Sequence, residues 1–529
     1  MGSFAKTIKQ IFKRTPAKKR NFQQDQAAAV RKEPLKISLQ DNLQKISEAF
    51  GGSDDIVIKS IPVGRSGDIR AGVIYTDGLA DTQDIFEALM LKVREADLDQ
   101  EVASRDHPLR LLKDFVLAVG DVSEVSDFDA LYTAVLSGDT VILLDGYAQG
   151  IIASLRKWRD RGVTEPSAQT VVRGPREGFS ESLRTNTALI RRRIKDPNLW
   201  LETKPIGRVT RTDVSVMYIK GIVNEAVLQE VRRRLSRIDI DGILESGYIE
   251  ELIQDETLSP FPTIFNTERP DAVAAALLEG RIAILVDGTP FVLLVPALFA
   301  QFFQASEDYY QRWDFATLLR ILRYISFFIA LLAPSLYIAI TTFHQELLPP
   351  PLLIGLAAQR EGIPFPAFIE ALLMELTFEI LREAGVRMPR AIGQSVSIVG
   401  TLVIGQAAVE AGLVSAAMVI VVAITAISNF VFPAFNMGIS IRIIRFGLMG
   451  LAASFGLFGI TIGLVAIVLH LCSLRSFGIP YLAPFAPLIP DDQKDTIFRL
   501  PQWALFSRPR LISQQNIIRE QNEPTPKPK

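Results

Sequence analysis

Charged positions are spread unevenly along this 529-residue chain, and their distribution predicts its architecture. About 280 N-terminal residues mix charged and apolar positions, whereas four later stretches contain no Asp, Glu, Lys or Arg. These stretches are residues 324–343, 391–409, 411–441 and 446–474. A helix of about 20 apolar residues crosses roughly 30 Å of hydrocarbon, so the four stretches predict membrane spans. The pattern therefore indicates an integral membrane protein with a large water-soluble front end.

The front end contains an internal repeat. Residues 71–78 resemble residues 214–221, and residues 129–146 resemble residues 271–288. The two matches have nearly the same offset along the chain, which places them in one register. Each copy alternates β-branched strand patterns with helical patterns. The predicted fold class is therefore a soluble α/β N-terminal region of two similar tandem lobes, followed by an α-helical polytopic membrane domain.

An Asp-Gly pair follows the last apolar strand pattern in each copy, at Asp145-Gly146 and Asp287-Gly288. Asp-Gly between apolar strands favours a type I′ hairpin turn. We therefore interpret the two aspartates as turn formers and not as catalytic carboxylates. The run 289–304 is predicted to begin as the return strand of lobe 2 and then to lead to the membrane surface.

These patterns divide the chain into five segments. They are a basic flexible tail at 1–50, α/β lobe 1 at 51–165, α/β lobe 2 at 166–305, a transmembrane helical domain at 306–490 and a polar C-terminal tail at 491–529. The first 20 residues carry seven Lys or Arg and no acid, which favours a cytoplasmic N-terminus. Two interpretations of this basic leader stay open: a solvated, disordered segment, or contact with anionic lipid headgroups.

The residue types needed for catalysis or metal binding are sparse. Cys472 is the only cysteine, which excludes an intramolecular disulfide and a cysteine-based zinc site. The three histidines, His107, His344 and His470, lie far apart, and the sequence has no Gly-rich phosphate fingerprint. We therefore predict a protein that is not an enzyme, with no cofactor, no metal site and no nucleic-acid partner.

A charged motif separates the two lobes at residues 174–197. Its glycines and proline indicate a turn, residues 180–195 have helical propensity, and Asp196-Pro197 ends the helix. The candidate signalling or interface residues here are Pro175, Arg176, Glu177, Gly178, Phe179 and Arg184. A solvated basic face and a contact with a partner or the membrane surface both remain open.

The segment 367–385 is apolar enough to enter a membrane, yet it carries Glu370, Glu375, Glu379 and Glu383. The last three are spaced i, i+4, i+8 and so form one acidic stripe on a helix. A single ionised side chain at mid-bilayer costs about 2.5–3.5 kcal/mol, so the stripe cannot face lipid. It either lines a cation-attracting pore built by several subunits, or forms the wet face of an amphipathic helix on the membrane.

Two further polar candidates, Asn429 and Asn436, flank Phe432-Pro433. Proline frees a backbone carbonyl in a helix, so these amides either have a structural role, in which they satisfy a kinked helix or join helices, or contact an ion or ligand. The number of crossings is ambiguous: the chain crosses five times if 367–385 spans the membrane and four times if it does not. Arginine positions favour neither arrangement consistently.

Three long motifs together identify a family resemblance: residues 174–197, residues 364–389 and residues 479–487. The chain resembles the A subunit of the GerA family of spore germination receptors, from about residue 54 to the final polar tail. The family's sporulation-stage paralogues share these motifs.

The resemblance implies a protein of the spore inner membrane, with its N-terminal domain on the spore core side. It also implies partners, namely a transporter-like B subunit and a lipoprotein C subunit, and a nutrient that triggers the complex. A subunits are further expected to form a homo-oligomer that conducts ions. From the residues alone, a secondary transporter with a regulatory cytoplasmic domain is the alternative function.

Overall fold

The computed structural model describes residues 33–63, 69–80, 121–154, 166, 169, 171–387, 405–514 and 516–519. The chain forms two compact units. The first, here called the lobed unit, contains the chain up to Gln254, Ile264–Pro296 and the segment from Phe506 onward. The second, the helical unit, contains Asp255–Thr263 and Ala297–Leu505.

The lobed unit contains two five-stranded sheets of the same topology. In lobe 1 the described residues form α1 (Leu39–Ala49), β1 (Ile56–Val63), β2 (Ile69–Thr76), β3 (Asp121–Val125), α2 (Phe128–Leu136), β4 (Thr140–Leu144) and β5 (Gly150–Ser154). Lobe 2 consists of α3 (Leu183–Arg193), β6 (Leu199–Ile206), β7 (Thr212–Ile219), α4 (Glu225–Ser236), α5 (Ser246–Ile253), β8 (Phe265–Thr267), α6 (Pro270–Leu278), β9 (Ile282–Val286) and β10 (Val292–Val295).

The strand orders are β1-β2-β4-β5-β3 and β6-β7-β9-β10-β8, and the pairs are antiparallel. The central strands β4 and β9 consist mainly of apolar residues and are buried along their whole length. The shared order confirms the prediction of two similar lobes. It also confirms the return strand after Gly288, which is β10.

Both Asp-Gly pairs lie in the turn that follows the central strand of their sheet. Gly146 and Gly288 have φ of +87° and +90°, but the aspartates do not adopt positive φ, so the predicted type I′ turn is wrong. Instead, the Oδ1 atom of Asp145 accepts a hydrogen bond from Leu39 N, and that of Asp287 accepts one from Leu183 N, both at 3.0 Å. Each aspartate thus satisfies an N–H group at the start of a helix, which has no partner within the helix itself.

These contacts place α1 in the repeat, and the predicted end of the flexible tail at residue 50 is therefore wrong. Asn42 and Asn186 make equivalent reciprocal hydrogen bonds, to the backbone of Lys36 and Ser180 respectively. A short sequence motif, Ser-Leu-x-x-Asn, marks this first part of the repeat in both lobes; it begins at Ser38 and again at Ser182. It precedes the segments from which the repeat was recognised.

The C-terminal segment does not form a free polar tail throughout, contrary to the predicted boundary at residue 491. Arg508 donates to Leu278 O at 2.7 Å, and the hydroxyl of Ser513 donates to Ile222 O at 2.9 Å. Ile512 and Ser513 are buried, and Ser513 lies against Gly280, the glycine that follows α6. Residues 506–514 therefore belong to lobe 2.

The helical unit contains six helices among the described residues. They are α7 (Trp313–Thr342), α8 (Pro350–Arg360), α9 (Ala367–Arg387), α10 (Gly405–Glu410), α11 (Ala416–Phe430) and α12 (Phe435–Ser473). Of these, α7 and α12 are long and apolar enough to cross a membrane by length and composition. The stretch 411–441 is not a single span, because the chain leaves α11 at Val431 and starts α12 at Phe435. Most of the predicted span 391–409 lies outside the described residues.

The stretch 446–474 is not a single span either, because α12 reverses direction at Gly456. Gly456 has φ 60° and ψ −140°, which is not helical. A side chain at Gly463 would touch Leu448, although the two residues would lie about 22 Å apart along a straight helix. The two arms, residues 435–455 and 457–473, therefore form a helical hairpin, and close packing at Gly459 and Gly463 lets the arms approach.

The helical unit has two ends, which we call the base and the tip. At the base, Ser440 and His470, one from each arm of α12, contact Pro260 and Ser259. The start of α7 lies there too. Its buried Arg320 donates to Asp495 Oδ1 at 2.7 Å, and Asp495 belongs to the segment that follows α12 in the chain. At the tip, Gly456 lies against Phe343 and His344, which follow α7.

Two of the remaining helices, α9 and α11, run between these ends. α9 starts near the tip and ends toward the base, since Glu370 contacts Ser415 whereas Glu379 contacts Arg442. α11 follows the same direction, from Ser415 beside Tyr337 to Phe432 beside Phe303. Among the described residues, Arg387 therefore lies toward the base.

Candidate functional site

The motif between the lobes joins them. Phe179 is buried, and its N–H donates to Glu268 O of lobe 2 at 2.8 Å. The guanidinium group of Arg184 pairs with Asp77 of lobe 1. The other candidates lie nearby: Pro175 O accepts from Arg269, Glu177 pairs with Arg192 and Arg193, Gly178 is buried and Arg176 is exposed. The predicted helix exists as α3, and its role in signalling stays a prediction.

An arginine that the sequence analysis did not single out makes the strongest contact of this motif. Arg191 is fully buried in α3 and donates from Nε and Nη2 to the two carboxylate oxygens of Asp55, each at 2.7 Å. Asp55 immediately precedes β1 and is 6% exposed. Such a bidentate pair fixes both distance and orientation, so the basic helix is at this point neither a solvated face nor free for a partner.

Lobe 2 also contains a carboxyl group with an unusual pKa. Glu250, in α5, accepts a hydrogen bond from Asn266 Nδ2 at 3.4 Å. Burial raises the pKa of Glu250 to about 7, and the negative charge of Glu245 adds to the shift. The folded lobe therefore favours the protonated form at pH values where an ordinary glutamate is ionised.

We expect this glutamate to make the lobed unit less stable as the pH rises from about 4.5 to about 7, because the folded state binds the proton more tightly than the unfolded state in that window. Glu250→Gln should remove this dependence and stabilise the protein by about 1–3 kcal/mol at pH 8. Urea unfolding of the full chain at pH 5 and pH 8 measures the effect. The exposed neighbour Glu251, changed to Gln, is the control, and equal pH dependence in all three proteins would contradict the prediction.

One face of the acidic helix α9 is buried in the helical unit, whereas Leu373, Leu376 and Ile380 on the same helix are exposed. Glu370 is fully buried, accepts from Ser415 N and Oγ at 3.1 and 3.0 Å, and has Arg360 Nε 3.3 Å away. Glu375 is 1% exposed and lies 2.7 Å from Nη2 of Arg445. Hence two of the four candidate glutamates are enclosed by other helices of the same subunit.

The predicted acidic stripe is divided. Glu379 accepts from Arg382 and from Arg442, at 2.6 and 3.2 Å, and its Oε1 lies 3.9 Å from Arg445 Nη2. Glu383 is exposed and pairs with Arg387 one turn later. Arg442 and Arg445 follow about 60–70 residues later in the chain, which is why the spacing of the glutamates alone did not identify them as partners.

Asn429 and Asn436 lie at the turn between α11 and α12, near the base. Pro433 is in this turn and does not kink a continuous helix, so the expected kinked span is wrong. Neither the Nδ2 nor the Oδ1 atom of Asn429 has a hydrogen-bond partner among the described residues. An ion or ligand role for these amides stays a prediction.

Comparisons with known proteins agree on one family. The family model described as Bacillus/Clostridium GerA spore germination protein matches residues 44–511. Spore germination protein KA of Bacillus subtilis is 50% identical over 491 residues, which cover 93% of this chain and 90% of the relative. Spore germination protein GerLA of Bacillus cereus is 40% identical over 478 residues, with 90% and 96% covered.

One solved structure is similar to the front end. The crystal structure of the N-terminal domain of the A subunit of the Bacillus megaterium spore germinant receptor GerK3 is 43% identical and covers 50% of this chain and 98% of that chain, with a TM-score of 0.42.

Proposed function

Because this chain belongs to the GerA family of spore germination proteins, we propose that it is the membrane subunit of a nutrient germinant receptor and that several copies form an ion-conducting channel. The partners in this proposal are the transporter-like B subunit and the lipoprotein C subunit. The proposal gives the chain no catalytic role.

We further propose that the helical unit crosses the membrane with its base on one side and its tip on the other. Among the described residues, α7, α9, α11 and the two arms of α12 each supply one crossing. The tip connections, of which residues 343–366 and 405–415 are described, contain one Lys or Arg in these two ranges, Arg360, whereas the base has Arg312, Arg387 and Arg475. By the positive-inside rule the base faces the cytoplasm, which in the spore is the core.

The observation that supports a channel is the position of α9. This helix carries four glutamates, and Glu370 and Glu375 lie buried inside a helical unit that exposes mainly large apolar side chains. The exposed apolar residues of α7, for example Phe315, Leu318, Leu322 and Ile325, recur at helical spacing and suit contact with lipid. Carboxylates enclosed by such a surface attract cations when a path opens beside them.

The test is ion flux through purified full-length protein in liposomes. We expect cation flux that needs no coupled solute, and a shift in cation preference in the Glu375→Gln/Glu379→Gln variant, because the charge of these groups selects cations. Glu383→Gln is the matched control, since that carboxylate is exposed and pairs with Arg387. Flux coupled stoichiometrically to a solute would favour a secondary transporter, and equal selectivity in all variants would remove α9 from the pore.

A further inference from the structure

Five charged side chains of α9 and the first arm of α12 form a cluster inside the helical unit. The members are Glu375, Glu379, Arg382, Arg442 and Arg445. Arg445 and Glu375 are essentially unexposed, at 0% and 1%, and the other three side chains are at most 23% exposed. Three arginines face two glutamates, so the cluster carries a net positive charge.

The central pair is incompletely satisfied by the described residues. Arg445 Nη2 lies 2.7 Å from Glu375 Oε2, but neither oxygen of Glu375 and none of the three guanidinium nitrogens of Arg445 has a hydrogen-bond partner of good geometry among those residues. Arg445 lies about 15 Å along its helix from Phe435, close to the middle of the first arm of α12. The pair is therefore at mid-bilayer depth in the proposed arrangement.

A buried ion pair of this kind is weak evidence for stability, because apolar side chains of similar volume often stabilise a fold as well or better. Removing one partner, in contrast, leaves an uncompensated charge in a poorly hydrated place. A pair with these properties is suited to hold two helices in one of two arrangements, since the charges must either stay together or both reach water.

We propose that the pairing of Glu375 and Glu379 with Arg442 and Arg445 is a latch that keeps the permeation path closed. In the latched state the arginines neutralise the carboxylates and hold α9 against the first arm of α12. When the pairs separate, α9 moves away from that arm and its carboxylates reach the water-filled path. This inference rests on the proposed channel function and assigns the regulation of that same site.

The experiment compares Arg445→Glu, Glu375→Arg and the charge swap that combines both changes. All variants are made in a protein that carries Cys472→Ser and Ala371→Cys, so that a single cysteine is present. Position 371 is fully buried one turn from Glu375, so a cysteine there becomes accessible when this interface opens. Two quantities are measured on full-length protein in liposomes: potassium flux without a germinant, and the rate at which a water-soluble maleimide labels the cysteine. Arg387→Glu, which disrupts the exposed pair with Glu383 on the same helix, is the control.

We expect each single variant to raise both the potassium flux and the labelling rate by roughly 10–100-fold. Like charges then replace an attractive pair, which shifts the equilibrium from the closed state to the open state. The swap should restore low flux and slow labelling, which a general loss of folding would not do, and the control should behave as the parent protein. If the cysteine is labelled faster but no variant conducts potassium, the proposed channel function is contradicted, whereas the movement of α9 away from α12 is supported. Parent-like flux and labelling in both single variants, or fast labelling that the swap does not reverse, would overturn the latch.

Discussion

Replacing Arg191 by methionine is expected to lower the free energy of unfolding of the lobed unit by about 3–5 kcal/mol, because Asp55 is then left buried without its partner. Both carboxylate oxygens of Asp55 accept from this one guanidinium group, at 2.7 Å, and neither side chain can reach solvent without a shift of α3 relative to β1. Urea unfolding of the full-length protein in detergent, followed by the fluorescence of Trp200 beside this interface, measures the change.

Two further variants test the physical reason for that loss. Arg184 lies on the same helix as Arg191, and Arg184→Met removes its ion pair with Asp77. The Arg184 side chain is 66% exposed, so the loss of this pair should cost less than about 1 kcal/mol. The double variant Arg191→Met/Asp55→Leu should recover most of the stability, since no charge stays buried alone. If the double variant is as unstable as the single one, packing and not charge explains the effect.

Gly456→Val is expected to prevent most of the protein from forming the hairpin of α12. The φ and ψ of 60° and −140° are accessible almost only to glycine, and a Cβ atom at this position would lie 2.7 Å from His344 Cε1. Backbone strain alone costs about 1–3 kcal/mol, and the clash with the end of α7 adds to it. We therefore expect a several-fold lower yield of monodisperse protein.

The control is Gly450→Val, because Gly450 lies in the same helix and a Cβ atom there would have no neighbouring atom within 4 Å. In a Cys472→Ser background, single cysteines at exposed positions 355 and 514 report the two sides of the membrane. With tip and base on opposite sides of the membrane, they react with an impermeant thiol reagent from opposite sides. In Gly456→Val the cysteine at position 514 should lose this pattern. Reaction of both cysteines from one side in the parent protein would refute the placement of base and tip on opposite sides.

The repeat of the lobes was predictable from sequence because it is a property of residues near one another in the chain. Strand alternation and the Asp-Gly pairs recur with one offset, and the structure places Asp145 and Asp287 at equivalent turns. The turn type was mispredicted because local propensity favours type I′ for Asp-Gly, whereas here the aspartate side chain caps a helix that starts about 100 residues earlier. A contact over that separation leaves no local signal.

The sequence by itself determined the division into α/β lobes and apolar helices, because hydropathy and periodicity are read along the chain. Only the tertiary structure decided that 446–474 doubles back, since Gly456 interrupts the helix without interrupting the run of apolar residues. It likewise decided that Glu375 meets Arg445 and that Arg191 meets Asp55, pairs separated by 70 and 136 residues. A charge next to apolar neighbours in sequence shows that it needs a partner, but which partner it finds depends on how the helices pack.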